Sequence, residues 1–258
     1  MQNQLLWSLL TGVKPDAAPA PEENLLNRIC MGGYCVLAFS VEKRVNLFSE
    51  ALSTQTLETL LMPEGRSGED RCKWISLLGE DGRIYTLVSY QSRRDYDMQP
   101  AARIGQMMQE ELSAKLGGSV QCGVGGFCAF YEMIPFSFRE AQAALAMPAT
   151  GKTIRNILRF VEENFADPEL SNGVIAKASF LNYSYMCTQF HTEMGMTLNQ
   201  YIRMYRMRRA LRHLEEPGIS IQAAALRVGY DDCKYFSKCF KREFNMTPGR
   251  YQRRSAGI

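Results

Sequence analysis

At 258 residues, with 46% apolar and 22% charged residues, the chain has material for about two modest domains and is too apolar for an intrinsically disordered protein. Its net charge of +3 hides a split: residues 151–258 carry 17 Lys/Arg against 10 Asp/Glu, whereas residues 1–150 carry 13 against 17. Such asymmetry points to a nucleic-acid-binding half beside a half with another task.

The eight cysteines include no CxxC pair and there are only two histidines, which argues against a zinc site or a disulfide framework. No apolar run approaches the roughly 18 residues that span a bilayer, and the opening MQNQLLWSLL lacks the basic residues of a secretion signal. A soluble, cytoplasmic chain without metal, cofactor or membrane partner is expected.

In chain order, residues 2–11 have the spacing of an amphipathic helix, with Leu5, Leu6, Leu9 and Leu10 on one side. It reads equally as a dimer-forming stub or as the exit helix of a longer protein, and the Pro/Ala linker PDAAPAP closes this segment, residues 1–21. Residues 22–150 then alternate strands and helices. Strands are predicted at 34–41, 74–78, 84–90 and 120–127, and helices at 45–62, 100–116 and 137–147. Asp81-Gly82 between two apolar runs marks a hairpin. The order βαββαβα suggests a ferredoxin-like α+β domain, an antiparallel sheet with helices on one face.

From residue 151 the pattern is seven helices and no strand. It holds one motif written twice, LSNGVIAKASFLNYSYMCTQFHTEMGMTLNQYI from Leu170 and ISIQAAALRVGYDDCKYFSKCFKREFNMTPGRY from Ile219. Each copy reads as a short capped helix, a tight turn and a second helix, which is a helix-turn-helix. In the second copy Ser220 caps the first helix, Gly229 suits a turn of positive φ, and Asp231 or Asp232 caps the next helix. There Phe236, Cys239, Phe240 and Phe244 form one stripe, while Lys234, Ser237, Lys238 and Lys241 form the opposite one. An apolar face for anchoring and a basic polar face for the major groove are what a DNA-recognition helix requires. In the first copy Ser171 or Asn172, then Asn182, cap the two helices. Met186, Phe190 and Met194 face inward; Ser184, Cys187, Thr188 and His191 face out, with no Lys or Arg. Thr197 caps a linking helix that carries Arg203, Arg206, Arg208, Arg209 and Arg212. Some of these arginines should meet phosphate, with Arg206 the candidate internal brace. A rigid linker would hold the two recognition helices about one DNA turn apart, ~34 Å.

These residues resemble the AraC/XylS family of bacterial transcription regulators over about residues 152–254. The resemblance rests on Gly195-Met196-Thr197, Arg206-Met-Arg-Arg-Ala210, Ala225-x-x-Val228-Gly229-Tyr230, Tyr235-Phe236-Ser237-Lys238-Cys239-Phe240-Lys241 and Thr247-Pro248-x-x-Tyr251. It implies sequence-specific binding to double-stranded promoter DNA, with RNA polymerase as a further partner. It maps base contacts onto Ser184, Cys187, Thr188, Cys233, Lys234, Ser237 and Lys238. His191, Arg203, Lys241, Arg242 and Arg250 are the candidate phosphate contacts. Asn245 stands where the family has glycine, His191 where it has lysine, and Gly173 where an acidic residue is common.

The front half is similar to the degenerate nucleotide-cyclase-like domain that precedes this module in some members, by its element order and by Ser137, Phe138, Ala141, Ala144 and Leu145. That implies a regulatory or homodimerising role for residues 22–150. The alternative is a nucleotide-cyclising enzyme, which needs two carboxylates to hold a divalent metal. Glu42 and the Glu80-Asp81 pair are the available acids, but acids with glycine are also what a hairpin turn prefers. Gly123-Val-Gly125-Gly126 is a poor phosphate loop, because no helix opening with Lys-Ser/Thr follows it. The expectation is therefore a non-enzymatic regulator with no catalytic residues.

Overall fold

The computed structural model describes residues 2–13, 32–41 and 72–256, and of residues 2–5 the helical backbone alone. The helix expected at 45–62, the acid Glu42 and the Pro/Ala linker lie outside these residues. The chain divides into two compact units, Met1–Leu145 and Ala146–Ile258. No helix among the described residues is long and apolar enough to cross a membrane.

The first unit is built on an antiparallel sheet of β1 (Gly33–Val41), β2 (Cys72–Leu78), β3 (Ile84–Tyr90) and β4 (Val120–Val124), in the order β2-β3-β1-β4. Strands β1 and β3 are central and buried along nearly their whole length, so their side chains need cover on both faces. Register sorts them: Cys35, Leu37 and Phe39 share a face with their partners Val88, Thr86 and Ile84. Helix α3 (Ala101–Leu116) closes that face with Ala101, Ile104, Met108 and Leu112. The opposite face carries Tyr34, Val36, Ala38, Tyr85 and Leu87, all buried. Helix α4 (Ile134–Ala146) covers it together with α1 (Gln2–Thr11), whose Trp7 ring lies 5.7 Å from Tyr85 and 5.8 Å from Phe138. Helices therefore lie on both faces, not on one as expected, because the two middle strands alternate between apolar residues of both faces and leave no face to water.

The close approach of α4 depends on the glycines of and after β4. A Cβ on Gly123 would sit 2.2 Å from the Ala141 carbonyl oxygen, and one on Gly125 would sit 2.1 Å from that of Ser137. Ser137, fully buried, accepts a hydrogen bond from the Val36 backbone N–H at 3.0 Å. The glycine run is thus a packing surface. It also shortens the strand: β4 ends at Val124, not at 127, and pairing resumes only at the isolated Tyr34–Cys128 bridge.

Two local features refine the sequence reading. A short helix, α2 (Arg93–Met98), precedes α3; it was not expected, although Ser92 three residues ahead of Asp95 is a start signal. In the β2–β3 hairpin the Asp81 carboxylate accepts from the Arg83 backbone N–H at 3.2 Å and from the Tyr85 hydroxyl at 2.6 Å, and Gly82 takes a φ of +73°.

The second unit has seven α-helices among its described residues: α5 (Lys152–Asn164), α6 (Asn172–Ala178), α7 (Tyr183–Met194), α8 (Leu198–Leu214), α9 (Ile221–Arg227), α10 (Cys233–Phe244) and α11 (Pro248–Ser255). Side chains expected as caps act as caps: Ser171, Asn182, Thr197, Ser220 and Asp232 each accept a backbone N–H of the helix they open. Thr197 and Gln200 form a complete capping box. Gly195 and Asn245 end α7 and α10 in the left-handed conformation, at φ +68° and +55°.

Arg206 of α8 crosses the middle of this unit and is only 8% exposed. Its Nε donates to the Phe165 carbonyl oxygen at 2.8 Å and its Nη2 to that of Asp167 at 2.7 Å. The guanidinium lies 5.3 Å from the centre of the Tyr230 ring. Burial lowers the Arg206 pKa, and Tyr230 opposes that shift. Gly229 makes room for the group: a Cβ there would lie 2.9 Å from Nη2 and 2.7 Å from the Phe165 oxygen.

Gly123→Ala should cost about 1–3 kcal/mol, the usual penalty for overpacking, read in urea unfolding followed by fluorescence, since both tryptophans, Trp7 and Trp74, belong to the first unit. Arg206→Ala should cost about 2–4 kcal/mol by leaving two carbonyl oxygens unpaired and a cavity beside Tyr230. An unchanged unfolding midpoint by circular dichroism would show that the brace is dispensable.

Candidate nucleic-acid interface

The two copies of the motif align in register from their second helices onward, residue 183 matching 233 and residue 201 matching 251. Met186, Phe190 and Met194 of α7 are buried, as are Phe236, Phe240 and Phe244 of α10. Phe190 meets Tyr201 at 5.8 Å and 61°, and Phe240 meets Tyr251 at 5.9 Å and 63°. The duplication is therefore one of packing geometry as well as of sequence.

Outward faces differ. On α10, Lys234, Lys238, Lys241 and Arg242 are exposed, with Cys233 and Ser237 partly so. On α7 the matching positions are Ser184, Thr188, His191 and Thr192, all exposed, with Tyr183 exposed and Cys187 partly buried. Asn172 of α6 donates to the Cys187 Sγ at 3.7 Å, so this residue also touches the preceding helix. All seven candidate base contacts thus lie on the two outward faces. Of the candidate phosphate contacts, His191, Lys241, Arg242 and Arg250 are exposed.

Arg203, the remaining candidate phosphate contact, has a partner within the domain. It is half-buried, and its Nε donates to the Glu243 carboxylate at 2.6 Å. That pair ties the linking helix α8 to the recognition helix α10. Glu193, the residue of α7 matching Glu243, accepts the Gly151 backbone N–H at 2.6 Å, at the N-cap of α5. Each recognition helix is thus fastened by a glutamate at the same position to the helix that precedes its copy. Sequence reading passed over both residues, although their recurrence in EMG and EFN was a signal. Arg209 likewise faces inward, donating to the Tyr205 hydroxyl at 2.7 Å and lying over the Phe165 ring at 5.5 Å.

The turn of the first copy holds an unexpected residue. Phe180, matching Gly229, has a φ of +54° and is 96% exposed. Tyr183 and Tyr185 on the first turn of α7 are also more than half exposed.

Of the residues considered for nucleotide chemistry in the first unit, Asp81 organises the hairpin, and Gly123 and Gly125 face α4.

A helix-turn-helix domain family matches residues 175–254. Over 102 residues the chain is 31% identical to the uncharacterized HTH-type transcriptional regulator YpdC of Escherichia coli K12, a stretch of 40% of this chain and 35% of that protein. Over 67 residues it is 40% identical to the HTH-type transcriptional activator RhaR of Enterobacter sp. strain 638, covering 26% and 24% of the two chains. The crystal structure of a DNA-binding transcriptional dual regulator from Escherichia coli K-12 is 28% identical, with a TM-score of 0.38 over 42% of this chain and 96% of that one. The chain spans only 35% and 24% of the lengths of the two curated relatives. With the tandem geometry and the family match together, residues 175–254 are a helix-turn-helix domain.

Proposed function

We propose that the protein is a sequence-specific transcriptional regulator whose helices α7 and α10 enter adjacent major-groove segments of promoter DNA. The observation that carries this is the repeated presentation of two recognition helices, each held by its inner stripe and a glutamate while its polar face stays exposed. The names of the matched proteins, a transcriptional regulator and a transcriptional activator, support the same reading. Bases are read by Ser184, Cys187 and Thr188 in one segment and by Cys233, Lys234, Ser237 and Lys238 in the other. His191, Lys241, Arg242 and Arg250 meet phosphate, while Arg203 serves chiefly as the clamp on Glu243. Such a protein works in the cytoplasm and carries no catalytic centre.

The domain reading proposed is a segment 1–21, a regulatory or dimerisation domain over 22–150, and the DNA-binding domain over 151–258. A ferredoxin-like, cyclase-derived origin for the front domain is supported by the antiparallel strand order β2-β3-β1-β4. Homodimers form through this half, and RNA polymerase is the further partner at the promoter.

Selection from a randomised duplex pool with the full chain tests the reading. Repeats of a bipartite site, each with segments one helical turn apart, are expected from the homodimer; a single bipartite site would count against dimerisation, and no enrichment would sink the proposal. On the selected site Lys238→Ala should cost about 1–3 kcal/mol and relax one base position. Lys241→Ala should weaken all sequences alike and reduce the slope of log K against log salt by about 1. A sequence-selective loss for Lys241→Ala would reassign that side chain to a base.

A further inference from the structure

The two recognition helices differ in charge position by position, and the first copy adds aromatic surface at its turn. Where α10 offers Lys234, Lys238, Lys241 and Arg242, α7 offers Ser184, Thr188, His191 and Thr192. Where the second copy has Gly229 and Cys233, the first has Phe180 and Tyr183. Phe180 is 96% exposed and Tyr183 is 52% exposed, whereas Tyr185, at 57%, has an equally exposed counterpart on α10 in Tyr235, at 56%. Phe180 and Tyr183 sit at the turn and the first helical turn of α7, the end of a recognition helix that meets base edges.

Phe180 is the most informative of these. Its φ of +54° lies in the left-handed region, which a bulky side chain adopts only at an energetic cost. No packing offsets that cost, since the ring is almost wholly in water. Gly229 differs, because there a Cβ would strike the Phe165 oxygen and Arg206. A strained, solvated phenylalanine beside an exposed tyrosine is a poor device for folding and a good one for contact with an apolar surface.

We infer that the first helix-turn-helix is a thymine reader: Phe180 and Tyr183 pack against thymine C5-methyl groups and the flanking deoxyribose in its half-site. This inference rests on the proposed DNA-binding role and gives that role a division of labour. The second unit draws in the duplex by charge and prefers guanine, through lysine donors to O6 and N7. The first unit discriminates by apolar contact with the only methyl group that the major groove displays. Its contribution should be nearly independent of salt.

The test replaces thymine by deoxyuridine, which lacks the methyl group, one position at a time in the selected duplex bound by the full chain. The half-site of the second unit is identified as the one relaxed by Lys238→Ala. The expected result is a loss of about fourfold for each contacted methyl group, the scale of burying one CH2 unit, confined to the other half-site. Phe180→Gly provides the second measurement. It relieves the left-handed backbone, so its unfolding temperature should not fall, while its affinity for the thymine duplex drops and its sensitivity to deoxyuridine shrinks. A half-site lacking thymine, or one indifferent to deoxyuridine, overturns the inference and leaves the DNA-binding reading standing. Unchanged affinity in Phe180→Gly also overturns it and assigns the aromatic edge to a protein partner. Failure to enrich any site overturns both readings together.

Discussion

The second unit depends on one buried cation. Arg206 stands on the linking helix and reaches in two directions, to the carbonyl oxygens of Phe165 and Asp167 ahead of the first copy and to Gly229 and Tyr230 in the turn of the second. A guanidinium withdrawn from water is costly unless its donors are met. Here two carbonyl oxygens and an aromatic face meet them, and only in one arrangement of the helices. The group therefore acts less as a source of net stability than as a fixture of geometry, and the spacing of the two proposed recognition helices is a matter of geometry.

Two glutamates extend the same logic outward. Glu193 and Glu243 occupy matching places in the repeat but hold different partners, a backbone N–H at the start of α5 and the Arg203 side chain. Duplication kept the position, and the local surroundings chose the partner. The inner stripes were also kept, down to a similar phenylalanine–tyrosine contact in each copy. Most residues of the outer faces carry no packing role and were free to diverge, and they did so in charge, with four cations on α10 matched by Ser184, Thr188, His191 and Thr192 on α7.

In the first unit the governing constraint is approach distance. Two glycines near β4 let α4 lie on the sheet with the backbones almost in contact, and a buried serine hydroxyl takes up the N–H that would otherwise be stranded beneath the helix. Gly123 and Gly125, from the run weighed as a phosphate loop, are accounted for by this contact. Of the acids weighed as a metal-binding pair, Asp81 uses its two oxygens to organise the hairpin and hold the Tyr85 hydroxyl, while Glu42 lies outside the described residues.

The sequence by itself determined what depends on neighbours along the chain. Caps at Ser171, Asn182, Thr197, Ser220 and Asp232, the left-handed ends at Gly195 and Asn245, and the buried and exposed stripes of both recognition helices all follow from spacing, since a cap or a helix face is a local matter. Tertiary structure decided the rest. It placed helices on both faces of the sheet, drew Arg203 to Glu243 and Arg209 to Tyr205, and gave Phe180 the conformation that its counterpart leaves to glycine. These outcomes turn on which groups converge from distant parts of the chain, and periodicity tells which side of a helix faces inward without telling what it will meet there.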